Sequence, residues 1–366
     1  MSRVRRSAHA AVAAMMAFTA PAAARAQGGF LLQGVYDAEL WKTDSASRLL
    51  ARNEGKPAAL GRVNLWSAVE PWRDVVLFGQ LRAESGNARP ESGSTLVADQ
   101  YGARWSPSDA FVLEAGKLPH VVGLFPARHL SFRNPLIADP DGYTLRYPAA
   151  VKLSGVVSRL DYRAGVLSLP LWHAGYSPPP SPAARPAAGL GITPVTGVRF
   201  GGSWSDGPYL NDAAGADWRS FHQRLLAAEL QLSRGYAELN AELAHSRYDV
   251  PGRAAPADGL AWYADLRATL LPRVYLAARV ERNDYPFILP ITTPGGTLWI
   301  ANNSDFTAGE IGAGVRPSSS SLVKLSVRAE HRVPNPNPNA PQASGRAFAF
   351  QWSQTFDLVE LLTVRR

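Results

Sequence analysis

Apolar and polar residues alternate with a period of two along several stretches of this chain. Clear stretches cover residues 237–243, 262–270, 274–281 and 323–330. Because successive side chains of a β-strand point to opposite faces, each stretch has one largely apolar face and one more polar, mostly charged face. The pattern predicts β-strands whose two faces meet different environments.

Sixteen such strands can be placed along the sequence. We predict strands at residues 30–43, 58–70, 74–84, 95–105, 110–118, 149–157, 160–169, 187–192, 197–204, 219–232, 235–247, 258–271, 273–283, 304–316, 320–333 and 344–357. The pattern is weakest over 149–169 and 187–204, where one misplaced hairpin would leave fourteen strands.

The connections between these strands alternate in length. The short ones lie at residues 71–73, 106–109, 158–159, 193–196, 233–234, 272 and 317–319. The long ones cover residues 44–57, 85–94, 119–148, 170–186, 205–218, 248–257, 284–303 and 334–343. A soluble β-sandwich has no reason to sort its loops in this way, whereas outer-membrane β-barrels combine short periplasmic turns with long outer loops.

The predicted fold class is therefore all-β, a transmembrane antiparallel β-barrel. After residue 26 no apolar run reaches the roughly 20 residues that a membrane-spanning helix needs. Only helices and closed barrels satisfy every backbone polar group inside a bilayer. In a barrel the apolar face of each strand meets lipid, so we expect Leu239, Leu266, Leu276 and Val327 to face outer-membrane lipid.

The N-terminus has the features of a cleaved signal peptide. Arg3, Arg5 and Arg6 precede an apolar run over residues 8–20, and residues 24–26 (ARA) fit an A-x-A cleavage site. We divide the chain into a signal peptide at residues 1–26, an outer-membrane β-barrel at 27–357 and a C-terminal tail at 358–366. The expected location is the bacterial outer membrane.

The net charge is modest once the leader is set aside. The whole chain has 38 Lys and Arg residues against 30 Asp and Glu residues. Four of the basic residues and none of the acidic ones lie in residues 1–26, which leaves 34 against 30 and a net charge of +4. This small excess favours a mild preference for anions among small solutes. It comes with no basic stripe or binding module, so nucleic acid is not an expected partner.

The third long connection, residues 119–148, contains the candidate functional residues. Structureless connections longer than about 12–15 residues are usually functional. If this loop folds into the barrel, its charged side chains would narrow the pore, and such rings of charge set ion preference. The alternative is a loop that packs over the rim. The expected constriction residues are Arg128, His129, Arg133, Asp139 and Asp141.

Charged side chains of both signs are expected on the interior wall. Lys324, Arg328 and Arg332 share one face of a predicted strand and would form a basic ladder. Glu238 and Glu242 are expected on another part of the wall. Separated charge would create a transverse field across the water. Simple hydration of a polar interior is the competing interpretation.

The number of strands favours a channel. Barrels of about eight strands fill their interior with side chains, whereas about sixteen strands leave a water-filled lumen. The sequence thus predicts a passive, porin-like channel for small hydrophilic solutes, with no cofactor and no metal site.

Two local stretches resemble porins of the O/P type. Gly116-Lys117 followed by Gly123 is similar to their strand-to-loop transition, and residues 193–201 (TPVTGVRFG) are similar to their proline-containing turn before a glycine-bearing strand. The resemblance implies a sixteen-stranded, often trimeric channel for small anions, so a homotrimer is an expected assembly. The chain departs from the general barrel pattern at its C-terminus, where Phe356 precedes a tail instead of ending the chain.

Two other functions stay open on the sequence alone, an outer-membrane barrel hydrolase and a plugged structural or adhesion barrel. A hydrolase needs a nucleophile, a base and an orienting group within hydrogen-bond reach. Ser220 and His222 form a close Ser/His pair but match no motif, so we assign no catalytic residue and do not expect an enzyme. The proline-rich stretch 170–186 would suit a rigid outer loop of a plugged barrel.

Overall fold

The computed structural model describes residues 29–44, 52–87, 93–141, 147–171, 180–294, 296–332 and 344–359. The expected signal peptide lies outside these residues, and so does the expected tail beyond residue 359. The strands are β1 (Phe30–Thr43), β2 (Ala58–Trp72), β3 (Val75–Gly86), β4 (Gly93–Ser108), β5 (Phe111–Lys117), β6 (Ala149–Val157), β7 (Leu160–Leu167), β8 (Arg185–Val195), β9 (Val198–Pro208), β10 (His222–Arg234), β11 (Ala237–Tyr248), β12 (Ala257–Leu271), β13 (Val274–Thr293), β14 (Gly296–Val315), β15 (Ser321–Arg332) and β16 (Ser344–Asp357).

These strands form one closed antiparallel barrel. Each strand pairs with its neighbour in sequence, and β1 pairs with β16 from Gln33↔Asp357 to Thr43↔Ala347. The predicted barrel is confirmed, with sixteen strands and not fourteen. Among the described residues, no helix is both long and apolar enough to cross a membrane.

The two faces of the strands are separated as the alternation predicts. Leu266 and Leu276 are each 48% exposed on the outside of the barrel, Val327 is 36% exposed, and Leu239 is partly exposed. Their sequence neighbours point inward and are largely charged or polar, for example Asp265, which is 1% exposed. The outer surface is therefore apolar, and the interior contains the charge.

The two ends of the barrel differ in their connections. Most of one end consists of tight turns, in which Asp74, Ser158, Gly197 and Gly235 adopt positive φ angles of 57–84°. Such angles allow the turn to follow the twist of the two strands. We call this the short-turn end and the opposite one the long-loop end. In outer-membrane barrels the short turns are periplasmic.

The connection between β13 and β14 differs from the sequence-based prediction. The long loop expected at residues 284–303 is wrong, because the two strands continue to pair as far as Thr293↔Gly296. Pro286 and Pro290 favour a loop in the sequence, since proline cannot donate a ladder hydrogen bond. β12 pairs with β13 only as far as Asp284. Beyond that residue the ladder pairs of β13 are with β14. A strand without a ladder partner on one side tolerates proline.

The outward placement of the apolar face can be tested by adding a charge. Ile311 pairs with Val327 and is 65% exposed on the outer surface. We expect Ile311→Arg to lower the free energy of unfolding by up to about 2–4 kcal/mol, the cost of a cation near the bilayer midplane. The measurement is a urea titration in lipid vesicles. Gln231→Arg, which adds the same charge to the interior wall, is the control, and an equal loss in both variants would contradict the assignment.

Candidate functional site

The described residues of the connection from β5 to β6, 118–141 and 147–148, lie inside the barrel. The connection begins where β4 and β5 come unusually close. Gly116 has a φ of +146°, and a Cβ atom built on it would lie 2.1 Å from the Tyr101 carbonyl oxygen. Only glycine fits such a backbone approach. We call these described residues, 118–141 and 147–148, the inner loop.

Apolar side chains attach the inner loop to the wall. Val122 and Phe125, each 1% exposed, pack in a cluster with Leu225 and Tyr263 of β10 and β12. Farther along, Leu136 and Ile137 pack against other parts of the wall, on the side of β13–β16, β1 and β2. Fully burying a large apolar side chain contributes about 1.5–3 kcal/mol. The inner loop is thus fixed to the wall at several separate points.

Carboxylates of the wall bind backbone amides of the inner loop. Glu242 accepts a hydrogen bond from the Leu124 N–H at 3.0 Å, and Glu281 accepts one from the Asp141 N–H at 2.7 Å. Glu310 accepts from the N–H groups of both Ile137 and Ala138 at 3.3 Å. These bonds satisfy buried backbone groups of an irregular segment, which would otherwise be costly to remove from water.

Cations of the wall bind carbonyl groups of the same loop. Arg279 donates to the Ala138 carbonyl oxygen at 2.6 Å and forms a two-point ion pair with Asp265 at 2.5 and 3.1 Å. Lys324 donates to the carbonyl oxygens of Asn134 and Leu136 at 3.0 and 2.9 Å. Wall carboxylates therefore bind N–H groups of the inner loop, and wall cations bind its carbonyl groups.

The three side chains of the expected basic ladder also make contacts inside the barrel. Lys324 is 1% exposed and lies beneath the inner loop. Arg328 is 5% exposed and forms ion pairs with Glu281 and Glu330. Arg332 lies 3.8 Å from the Asp141 carboxylate. The three side chains point inward, but their contacts are with the loop and with wall carboxylates.

Two cavities inside the barrel are lined by described residues of the inner loop. The first, which we call the long-loop cavity, has a volume of about 560 Å³ and lies between the loop and a wall that includes β1–β4. On that wall Arg62 bridges Glu39 at 3.3 Å and Glu84 at 2.7 Å, and Arg82 bridges Glu84 at 2.8 Å and Asp99 at 2.6 Å. The result is an alternating series of acidic and basic groups across four neighbouring strands.

The second, which we call the short-turn cavity, has a volume of about 450 Å³. It is lined by turn residues such as Thr193 and Gly197 and therefore opens toward the short-turn end. Arg199 on its wall is held by Asp161 and Glu229 at 2.6 and 3.1 Å.

The five residues expected at one constriction are divided between these cavities. His129, Asp139 and Asp141 line the long-loop cavity, whereas Arg128 and Arg133 line the short-turn cavity. Of the wall residues, Glu238 also lines the short-turn cavity, and Glu242 is buried beneath the loop. The positions of these residues in the sequence do not predict this division. No sequence pattern identified Arg62, Arg82 or Arg267 as candidate site residues.

Hydrogen bonds fix the tautomer of His129. Its Nδ1 lies 2.8 Å from the Pro126 carbonyl oxygen, which can only accept, so Nδ1 bears the proton. Its Nε2 then accepts from the Tyr147 hydroxyl at 3.2 Å. Burial lowers the pKa of His129, an effect that the nearby Asp139 carboxylate opposes.

We expect acidification to loosen this part of the inner loop. Because the pKa of His129 is lower in the folded protein than its usual value of about 6.5, the unfolded chain binds the proton first. The contribution of neutral His129 to folding stability is complete when the pH is above that usual pKa, and it is lost as the pH falls below it. The protection of the backbone amides of residues 127–130 against hydrogen exchange, corrected for the intrinsic pH dependence of exchange, should fall in this range, and His129→Gln should remove that fall. Unchanged exchange in the wild type would contradict the prediction.

The Ser220 and His222 side chains hydrogen-bond to different groups. The Ser220 hydroxyl donates to the Asp217 carbonyl oxygen at 2.8 Å, and His222 Nδ1 lies 2.8 Å from the Asp206 carboxylate.

Comparison with known proteins bears on the fold. No protein-family model and no curated protein sequence matches the chain. Among solved structures, it is similar to the outer-membrane channel DcaP of Acinetobacter baumannii, with a TM-score of 0.63, 10% identity and coverage of 90% of this chain and 97% of that one. It is also similar to OmpF of Salmonella typhi in complex with daunomycin, with a TM-score of 0.62, 12% identity and coverage of 90% of this chain and 98% of that one. A third similar structure is OmpT of Vibrio cholerae in its trimer form, with a TM-score of 0.58, 11% identity and coverage of 91% of this chain and 100% of that one.

Identities this low establish a shared fold only. The chain has the architecture of bacterial outer-membrane porins. Its closed barrel, its apolar outer surface and this shared fold place it in the bacterial outer membrane.

Proposed function

We propose that this protein is a passive channel for small hydrophilic solutes. The observation that supports this best is the pair of charged cavities on either side of the inner loop, with volumes of about 560 and 450 Å³. A barrel of about sixteen strands is wide enough for an aqueous path. The inner loop covers parts of the wall and so narrows this path.

Single-channel recording in a planar bilayer tests the proposal. In about 1 M salt, where the Debye length is about 3 Å and fixed charges are screened, we expect stepwise ohmic openings. A folded barrel that stays silent would contradict a channel and favour a plugged structural barrel or a barrel hydrolase.

A homotrimer is part of the same proposal. The similar OmpT of Vibrio cholerae occurs in a trimer form, and the resemblance to O/P-type porins implies the same assembly. Each insertion event should then show three equal conductance steps. Single steps throughout would indicate that the barrel acts as a monomer.

The mild anion preference stays a prediction. It follows from the net charge of +4 outside residues 1–26, which the charges nearest the solute path can override. The two cavities have charge excesses of opposite sign, so the sign of the selectivity depends on how they act together.

A further inference from the structure

The long-loop cavity has an excess of negative charge. Among the residues that the structure describes, six carboxylates line it, those of Asp37, Glu39, Asp99, Asp139, Asp141 and Glu330. Four cationic side chains line the same cavity, those of Arg62, Arg82, Lys324 and Arg328.

The cations in this cavity are paired more completely than the carboxylates, so the pairing increases the excess of negative charge to which a solute is exposed. The four cations are each engaged by wall carboxylates or by loop carbonyl groups. By contrast, Asp139 is exposed on the inner loop, and its carboxylate accepts a hydrogen bond from the neutral Asn134 amide at 3.0 Å. Asp141 has a 45% exposed side chain, accepts a hydrogen bond from the neutral Asn283 amide at 3.3 Å and lies 3.8 Å from the nearest cation, Arg332. The charge that remains open to the cavity is therefore mainly that of these two carboxylates.

The short-turn cavity has the opposite excess. Its described lining contains four arginines, Arg128, Arg133, Arg199 and Arg267, against the carboxylates of Glu238 and Asp265.

Three of these arginines are held loosely. Arg128 lies 3.5 Å from Asp265, a carboxylate already bound by Arg279, and Arg267 lies 3.9 Å from Glu238. Among the residues that the structure describes, no group accepts a hydrogen bond from the buried Nη1 of Arg128 or the buried Nε of Arg267. Arg133 is exposed. Positive charge in this cavity is thus incompletely neutralised.

We propose that the solute path is bipolar along its axis, acidic toward the long-loop end and basic toward the short-turn end, and that it favours zwitterionic solutes over singly charged ones. The inference rests on the proposed channel function. A cation or an anion is attracted by one cavity and repelled by the next. A zwitterion has no net charge to be repelled, and it can orient its amine toward the acidic cavity and its acid toward the basic cavity.

A bipolar path should also conduct unequally in the two directions. When the solution at the long-loop end is electrically positive, cations enter through the acidic cavity and anions enter through the basic cavity. Both kinds of ion then accumulate at the junction, the region where the two cavities meet. With the opposite polarity, both are withdrawn from the junction and conductance falls. At about 0.01 M salt, where the Debye length is about 30 Å, we expect about a twofold difference in current between the polarities. In about 1 M salt the difference should disappear.

Matched variants assign this asymmetry to the cavities. Asp139→Asn with Asp141→Asn, and separately Arg133→Gln with Arg267→Gln, should each bring the low-salt current ratio toward one. Arg73→Gln, which removes a charge from a side chain that is 95% exposed on a short turn, should leave the ratio unchanged.

Solute entry into protein-containing liposomes tests the chemical class with three probes of similar size. Alanine is zwitterionic, lactate is anionic and alaninamide is cationic. At low salt we expect alanine to enter about twofold faster than both ions, and the two double variants to reduce this advantage. Conduction with a symmetric current and equal entry of all three probes would overturn the bipolar path alone. Absence of both conduction and entry would overturn the proposed channel, and the bipolar path with it.

Discussion

Replacement of Arg279 by methionine should lower the free energy of unfolding by about 3–5 kcal/mol, because it leaves the buried Asp265 carboxylate without its ion pair. The Arg279 and Asp265 side chains are 0% and 1% exposed. The substitution also removes the hydrogen bond to the Ala138 carbonyl oxygen of the inner loop. The loss is measured as a shift in the midpoint of urea unfolding in lipid vesicles.

The same strand offers a matched control. Arg282, three residues farther along β13, forms a two-point ion pair with Asp305 at 2.7 and 3.0 Å, but its side chain is 49% exposed. Exposed ion pairs contribute about 0–1 kcal/mol, so Arg282→Met should have little effect. Equal losses in the two variants would show that burial of the Arg279 pair has no special importance.

A second substitution separates the lost pair from the lost loop contact. Replacing a buried ion pair by apolar residues is often neutral, so adding Asp265→Leu to Arg279→Met should recover part of the stability. Failure to recover any of it would assign the whole effect to the anchoring of the inner loop.

Truncation of Phe125 should release the inner loop from the wall between β10 and β12. Phe125 is 1% exposed and packs edge-on against Tyr263, with ring centres 5.8 Å apart. Removal of a buried phenylalanine side chain costs about 3–5 kcal/mol. We expect Phe125→Ala to raise single-channel conductance about twofold, since a displaced loop no longer narrows the barrel. Proteolysis within residues 119–141 should become faster.

The control for this prediction is an aromatic side chain on the opposite face. Phe348 is 55% exposed on the outer surface, so Phe348→Ala should leave conductance and loop proteolysis unchanged. An unchanged conductance in Phe125→Ala, with faster proteolysis, would mean that the loop does not limit the current.

The strands were predictable because their signal is local. Alternation along β11, β12, β13 and β15 depends only on whether each residue faces lipid or the interior, and one face is apolar throughout. The two prolines of β13 show the limit of this approach. Whether proline ends a strand depends on where the neighbouring strand stops, which the local pattern does not contain.

The arrangement of charges was less predictable because it depends on contacts across the barrel. Lys324 and Arg328 share a strand face, as expected, but their partners come from the inner loop and from β13 and β15. Likewise, neighbouring positions such as Arg128 and His129 line different cavities. A sequence pattern places a side chain on a face, but it does not say which group approaches that face from the far side.

The inner loop also sets an order for assembly. It leaves the barrel after β5, yet Asn134 and Leu136 accept hydrogen bonds from Lys324, 190 and 188 residues later in the chain. Ile137 lies in a cluster with Trp41 of β1 and Ala349 of β16, the two strands whose pairing closes the barrel. Contacts between residues so distant in sequence form only after much of the chain has been ordered. The inner loop therefore reaches its final position only with or after the β1–β16 pairing that closes the barrel.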